Sequence, residues 1–147
     1  MKETFYERIG EAVCRERLTN GLEVCVVPKP GYAKKYAFFS TRYGGMDTRF
    51  CLDGQWLNTP AGIAHYLEHK LFENEDCDAF ERYARTGASA NAYTSFERTA
   101  YLFNCTGRLE ESLEILLDFV QRPYFTEETV RKEQGIIGQE IRMCEDS

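Results

Sequence analysis

The only two histidines of the chain fall four residues apart, in His65-Tyr66-Leu67-Glu68-His69. On an α-helix, residues at that spacing project from one face about one turn apart, so both imidazoles can reach a single metal ion. Glu68 is three residues from His65 and shares that side. The flanking sequence reads as a helix. Thr59-Pro60 is suited to its start, with threonine capping the first free amides and proline at the first helical position. The expected span is about Pro60 to Phe72.

The order H-x-x-E-H is the inverted form of the more familiar zinc-peptidase helix. Glu68 then sits beside the metal, where a general base for an activated water belongs. Catalytic zinc takes three protein ligands and keeps one position open. With no third histidine, the remaining ligand must be Asp, Glu or Cys. The last helix offers Glu133 and Glu140, two turns apart on one face. Ile137 and Ile141 are expected to press the Glu140 side into the core, toward the first helix. A buried carboxylate there is costly alone and neutralised by a metal. Taken by themselves, both glutamates read better as ordinary solvated helix residues.

Apolar-rich runs at 12–19 and 22–28 flank Asn20-Gly21, which supplies the positive φ angles of a tight hairpin. Residues 35–43 form an aromatic-rich strand candidate that ends at Gly44-Gly45, and a polar loop with Asp47, Asp53 and Gly54 follows. A second helix is expected from about Asp78 to Arg85, stopping at Gly87. Residues 88–95 and 98–105 suggest another strand pair. Thr106 opens a helix with Leu109, Leu113, Leu116, Leu117 and Val120 on its apolar face, ended by Pro123. Thr126, with Glu127 and Glu128 in the first turn, opens the last helix, which carries Val130, Ile136, Ile137 and Ile141. Strand pairs with helices between them predict an α+β fold, an antiparallel or mixed sheet covered by helices on one face.

Net charge is −6 with no basic cluster, which argues against nucleic acid and anionic lipid as partners. The N-terminal segment has no apolar core of a secretory signal, and no stretch is apolar enough to span a membrane. Six cysteines without a C-x-x-C pair read as free thiols in a reducing cytoplasm, several of them filling the core.

Four ordered stretches, Leu18-Thr-Asn-Gly-Leu-Glu-Val24, the H-Y-L-E-H at 65–69, N-A-Y-T-S at 91–95 and E-Q-G-I-I-G-Q-E at 133–140, resemble the pitrilysin/insulinase family. They are most similar to its bacterial branch related to mitochondrial processing peptidase. The resemblance runs from about residue 15 to the end. It implies a zinc-dependent endopeptidase with one zinc on His65, His69 and Glu140. Glu68 and Glu133 are the implied catalytic carboxylates, Glu68 as the base and Glu133 supporting the site from behind. Asn91, Ala92 and Tyr93 match the edge strand along which a substrate peptide lies as an added strand.

Members of this family are much longer and close two halves on a chamber. The second half supplies an arginine and a tyrosine that hold substrate. Residues 1–147 therefore read as an N-terminal zinc-binding peptidase domain, incomplete by itself and with little or no activity alone. The missing half and a homologous subunit, identical or inactive, are the implied partners. The inverted helix motif also occurs in S-ribosylhomocysteine lyases, whose third ligand is a cysteine; Cys105 or Cys144 would fill that role here. A non-catalytic subunit is the third reading, which retention of Glu68 disfavours.

Overall fold

The computed structural model describes residues 1–145, in two compact units, residues 1–33 and the chain from Lys34 onward. In the first unit β1 (Lys2–Tyr6), β2 (Glu11–Arg17) and β3 (Glu23–Val26) form an antiparallel sheet in the order β1-β2-β3. The expected Asn20-Gly21 hairpin joins β2 to β3. Gly21 takes a φ of 89°, and Asn20 Oδ1 accepts the Leu22 amide at 3.1 Å. β1 had no expectation. Its KETFY sequence carries only two apolar residues, and all five residues are exposed.

The second unit opens with β4 (Lys35–Thr41). The loop expected next instead contains a hairpin, β5 (Arg49–Leu52) and β6 (Gln55–Asn58), turning at Asp53-Gly54 with both residues at positive φ. Asp-Gly is a strong two-residue hairpin signal, and polarity alone hid it. Helices α1 (Ile63–Phe72) and α2 (Ala79–Thr86) follow, then β7 (Ser89–Thr94), β8 (Thr99–Cys105), α3 (Leu109–Phe119) and α4 (Glu127–Glu145).

Strands β4, β8 and β7 form an antiparallel sheet in that order, so β7 is an edge. Register places Phe39, Tyr101 and Ala92 in one row and Ala37, Phe103 and Ala90 in the next. All six pack in or against the core with Phe72, Tyr83, Leu116 and Phe119 from the helices. The opposite face leaves Tyr36, Phe38 and Tyr93 exposed. The α+β fold with helices on one sheet face is therefore observed, and the sheet is antiparallel. Aromatic stacking fills the middle layer: Phe72 lies 5.1 Å from Phe119 and 4.4 Å from Phe80 between ring centroids.

Helix ends follow their chemistry in part. Asp78 caps α2 by accepting the Phe80 amide, and Gly87 ends it at φ 73°. Thr126 caps α4 by accepting the Thr129 amide at 3.1 Å. Two expected starts are displaced. α1 begins at Ile63 after Gly62, and Thr59 makes no cap. α3 begins at Leu109 after Arg108, not at Thr106. Its buried face is Ser112, Ile115, Leu116 and Phe119, while Leu113 and Leu117 are exposed. The leucine pattern alone had placed the stripe about one residue off. Of the cysteines only Cys105 is buried, so the expected set of core-filling thiols reduces to one. No helix among the described residues is long and apolar enough to cross a membrane.

Candidate metal centre

Helix α1 carries His65 and His69 on one face, as the four-residue spacing requires. Their Nε2 atoms lie 3.1 Å apart. α4 crosses this face. Contacts descend α4 as they ascend α1, from His65–Glu140 through His69–Glu133 to Glu73–Lys132, so the two helices run antiparallel. Tyr66 adds a link through its hydroxyl, which donates to the Val130 carbonyl at 3.4 Å.

The crossing brings Glu140 to the histidines. Its two carboxylate oxygens lie 3.4 Å from His65 Nε2 and 3.8 Å from His69 Nε2. One ligand atom from each of the three residues falls within 4.8 Å of the others. Two ligands about 2.0–2.1 Å from a zinc ion, at the tetrahedral angle, stand about 3.3 Å apart. The observed spacings of 3.1, 3.4 and 3.8 Å bracket that value. The donor set, two imidazole nitrogens and a carboxylate, is also that of a catalytic zinc site with an open position.

Burial is not what brings Glu140 here. Its side chain is 42% exposed and that of His65 41%. Of the two residues expected to press this side of α4 into the core, Ile141 is 54% exposed and Ile137 is half-buried, so the expectation fails at Ile141. The one buried residue on α4 is Glu133. Its Oε1 lies 2.9 Å from Nδ1 of His69, on the side of the ring away from Nε2. A carboxylate at that position favours the tautomer with the proton on Nδ1 and leaves Nε2 free as a ligand atom.

Glu68 stands apart from this group, buried at 9% and held by the Thr94 hydroxyl, which donates to Oε2 at 3.0 Å. Thr94 belongs to the N-A-Y-T-S stretch, and a role in orienting Glu68 has no sequence signal beyond that membership. Tyr101 lies beneath α1 and donates to the Leu67 carbonyl at 3.4 Å. Burial first, and the Glu68 carboxylate second, raise the Tyr101 phenol above its ordinary pKa and keep it protonated.

A cleft of about 500 Å³ lies between the segment Glu73–Asp78, α1, α4 and β7; it reaches Glu68, His69, Glu133, Asn91 and Ala92, but His65, Glu140 and Tyr93 do not line it. Asn91 and Tyr93 point to the exposed face and Ala92 toward the helices. The Ala92 amide donates to Asn91 Oδ1 at 2.9 Å. The cysteine alternatives do not join the group. Cys105 is in the hydrophobic core, and neither it nor the exposed Cys144 contributes a ligand atom.

Known proteins share the sequence and the fold that carry this geometry. The family described as Insulinase (Peptidase family M16) matches residues 57–147. A zinc protease of Bacillus subtilis (strain 168), YmfH, is 54% identical over the whole chain, which covers 35% of that protein. The beta subunit of mitochondrial-processing peptidase from Mus musculus is 32% identical over 65% of the chain and 22% of its own length. The crystal structure of an M16-like peptidase from Alicyclobacillus acidocaldarius superposes with a TM-score of 0.86 at 50% identity, over 90% of this chain and 31% of that one. The chain belongs to the insulinase family, peptidase family M16. It spans about a third of the length of each of the two bacterial relatives.

Proposed function

We propose that residues 1–147 are the N-terminal, zinc-binding domain of a zinc-dependent endopeptidase, incomplete without the remainder of the enzyme. One zinc is held by His65, His69 and Glu140. The observation that carries this reading is the convergence of three ligand atoms from two crossing helices within 4.8 Å, with Glu68 held by Thr94 outside that group.

When bound, zinc supplies Lewis acidity toward water and the peptide carbonyl. The protein residues do the rest. Glu68, oriented by Thr94, accepts a proton from the attacking water and returns it to the amine nitrogen that leaves. Glu133 holds the Nδ1 proton of His69 and so fixes the ring. The free edge of β7 takes the peptide as an added strand at Asn91, Ala92 and Tyr93, with one of its side chains in the cleft. The Ala92 amide must then exchange Asn91 Oδ1 for the peptide's carbonyl.

The span of the chain relative to its relatives supports a further half; closure of that half on the substrate and a homologous subunit as partner complete the proposal. The test is zinc content by elemental analysis of the wild type, Glu140→Gln and His69→Ala. About one zinc per wild-type chain, lost in both variants, is expected. A folded wild-type chain without zinc overturns the site as a property of these residues alone.

A further inference from the structure

Lys70 directly follows the second histidine and is fully buried. Burying an ammonium is unfavourable unless it is paired and hydrogen-bonded. Its partner is Glu73, one turn on, with Nζ 2.5 Å from Oε2. The rings of Tyr124 and Phe125, just ahead of α4, lie 6.0 and 5.7 Å from the same nitrogen, within cation–π range. The other Glu73 oxygen is 3.9 Å from Lys132.

These contacts lie beside the candidate centre in both helices. Lys70 adjoins His69, and Lys132 adjoins Glu133. Thus α1 and α4 are joined by two neighbouring cross-links, His69–Glu133 and Lys70–Glu73–Lys132. An apolar side chain would fill the Lys70 space without the desolvation penalty. The Lys70–Glu73 pair itself lies within α1 and its C-cap; what gives it direction toward α4 is the Glu73–Lys132 contact and the Tyr124 and Phe125 rings around the same nitrogen. α4 needs that direction, since Glu133 is its one buried residue, Ile136 and Ile141 are exposed and Ile137 is only half-buried.

We propose that Lys70 is a positioning residue: the buried Lys70–Glu73 pair, with Lys132 and the two rings, sets the register of α4 on α1. It thereby keeps Glu133 on Nδ1 of His69 and Glu140 opposite the two Nε2 atoms. This rests on the metal reading above.

The test uses the full chain and Lys70→Met, which keeps length and removes charge. Three quantities are read: zinc affinity by competition with a chromophoric chelator, the visible absorption of the cobalt(II)-loaded chain, and the Tm of the metal-free chain. Lys70→Met is expected to keep or raise the metal-free Tm, because an ion has left the interior and Glu73 still faces Lys132. Zinc affinity should fall about 10–100-fold, the range for loss of a group that orients a ligand, and the cobalt band should shift.

Affinity within twofold of the wild type, with an unchanged cobalt spectrum, overturns the proposal. A lowered metal-free Tm with an unchanged cobalt spectrum also overturns it, by leaving Lys70 a structural role only. If Lys70→Met does not fold, the double variant Lys70→Met/Glu73→Gln, which leaves no unpaired charge, is judged by the same criteria. Failure of both to fold again assigns a structural role. A folded wild type that takes up neither zinc nor cobalt overturns the metal reading itself, an outcome distinct from all of these.

Discussion

Glu133 and His69 meet at 2.9 Å, carboxylate to Nδ1, across the crossing of α4 and α1. This contact explains why one buried acid sits on an otherwise exposed helix. It turns a surface histidine into a ring with a fixed tautomer, its other nitrogen facing His65 and Glu140.

Replacing Glu133 with Gln keeps the shape but removes the charge that favours the Nδ1 proton. Zinc affinity is expected to drop about 10–100-fold with the fold intact. Calorimetric titration of the variant against the wild type measures this. Wild-type affinity would remove Glu133 from the site.

Glu68 is expected to behave oppositely. It is held by Thr94 and not grouped with the ligand atoms, so Glu68→Gln should leave zinc content at the wild-type level. In the full-length enzyme the same change should lower peptide cleavage by about 10²–10⁴-fold. Loss of zinc in Glu68→Gln would place this carboxylate among the ligands.

Metal binding should be opposed by acid. Both imidazoles must be neutral to act as ligands, so metal binding competes with their protonation and is weakened by acid. Zinc should therefore raise the Tm at neutral pH, and the increment should vanish as pH falls. A chelator at neutral pH should have the same effect. A zinc-induced rise in Tm independent of pH would point to a site without histidine.

Gly44 is fixed by close approach. A Cβ there would meet Arg98 N and Ser95 O at 2.5 Å, in the turn that follows β7. The neighbouring Gly45 and Met46 amides donate to Ser95 O and Phe96 O in the same turn. Gly44→Ala should destabilise by about 1–3 kcal/mol in thermal or urea unfolding. An unchanged midpoint would show that the turn shifts freely.

Phe119 lies among Phe72, Tyr83 and Tyr101, and is 1% exposed. Phe119→Ala leaves a cavity that four elements share, and about 3–5 kcal/mol is expected to be lost. Urea unfolding at constant slope tests the magnitude. A loss below about 1 kcal/mol would mean that the aromatic layer collapses into the space.

The sequence by itself determined the local features. The i, i+4 histidines required only a helix, the Asn20-Gly21 turn only its own φ angles, and the Asp78, Gly87 and Thr126 helix ends only nearby backbone groups. Each is settled by interactions within a few residues. Such reading failed where a local signal had a nonlocal competitor: Thr59-Pro60 yielded the helix start to Gly62, and in α3 Leu113 and Leu117 yielded the buried face to Ser112, Ile115 and Phe119, while Leu116 kept its place. The approach of Glu140 to His69 across 71 positions was legible through motif resemblance and not through burial of its neighbours, because Ile141 is exposed and Ile137 only half-buried. Only the tertiary structure decided that Glu133 takes Nδ1, that Thr94 holds Glu68, and that Lys70 is buried against Glu73. Those contacts depend on how two helices and a sheet edge cross, and crossing geometry is set by packing of the whole layer, which no local pattern encodes.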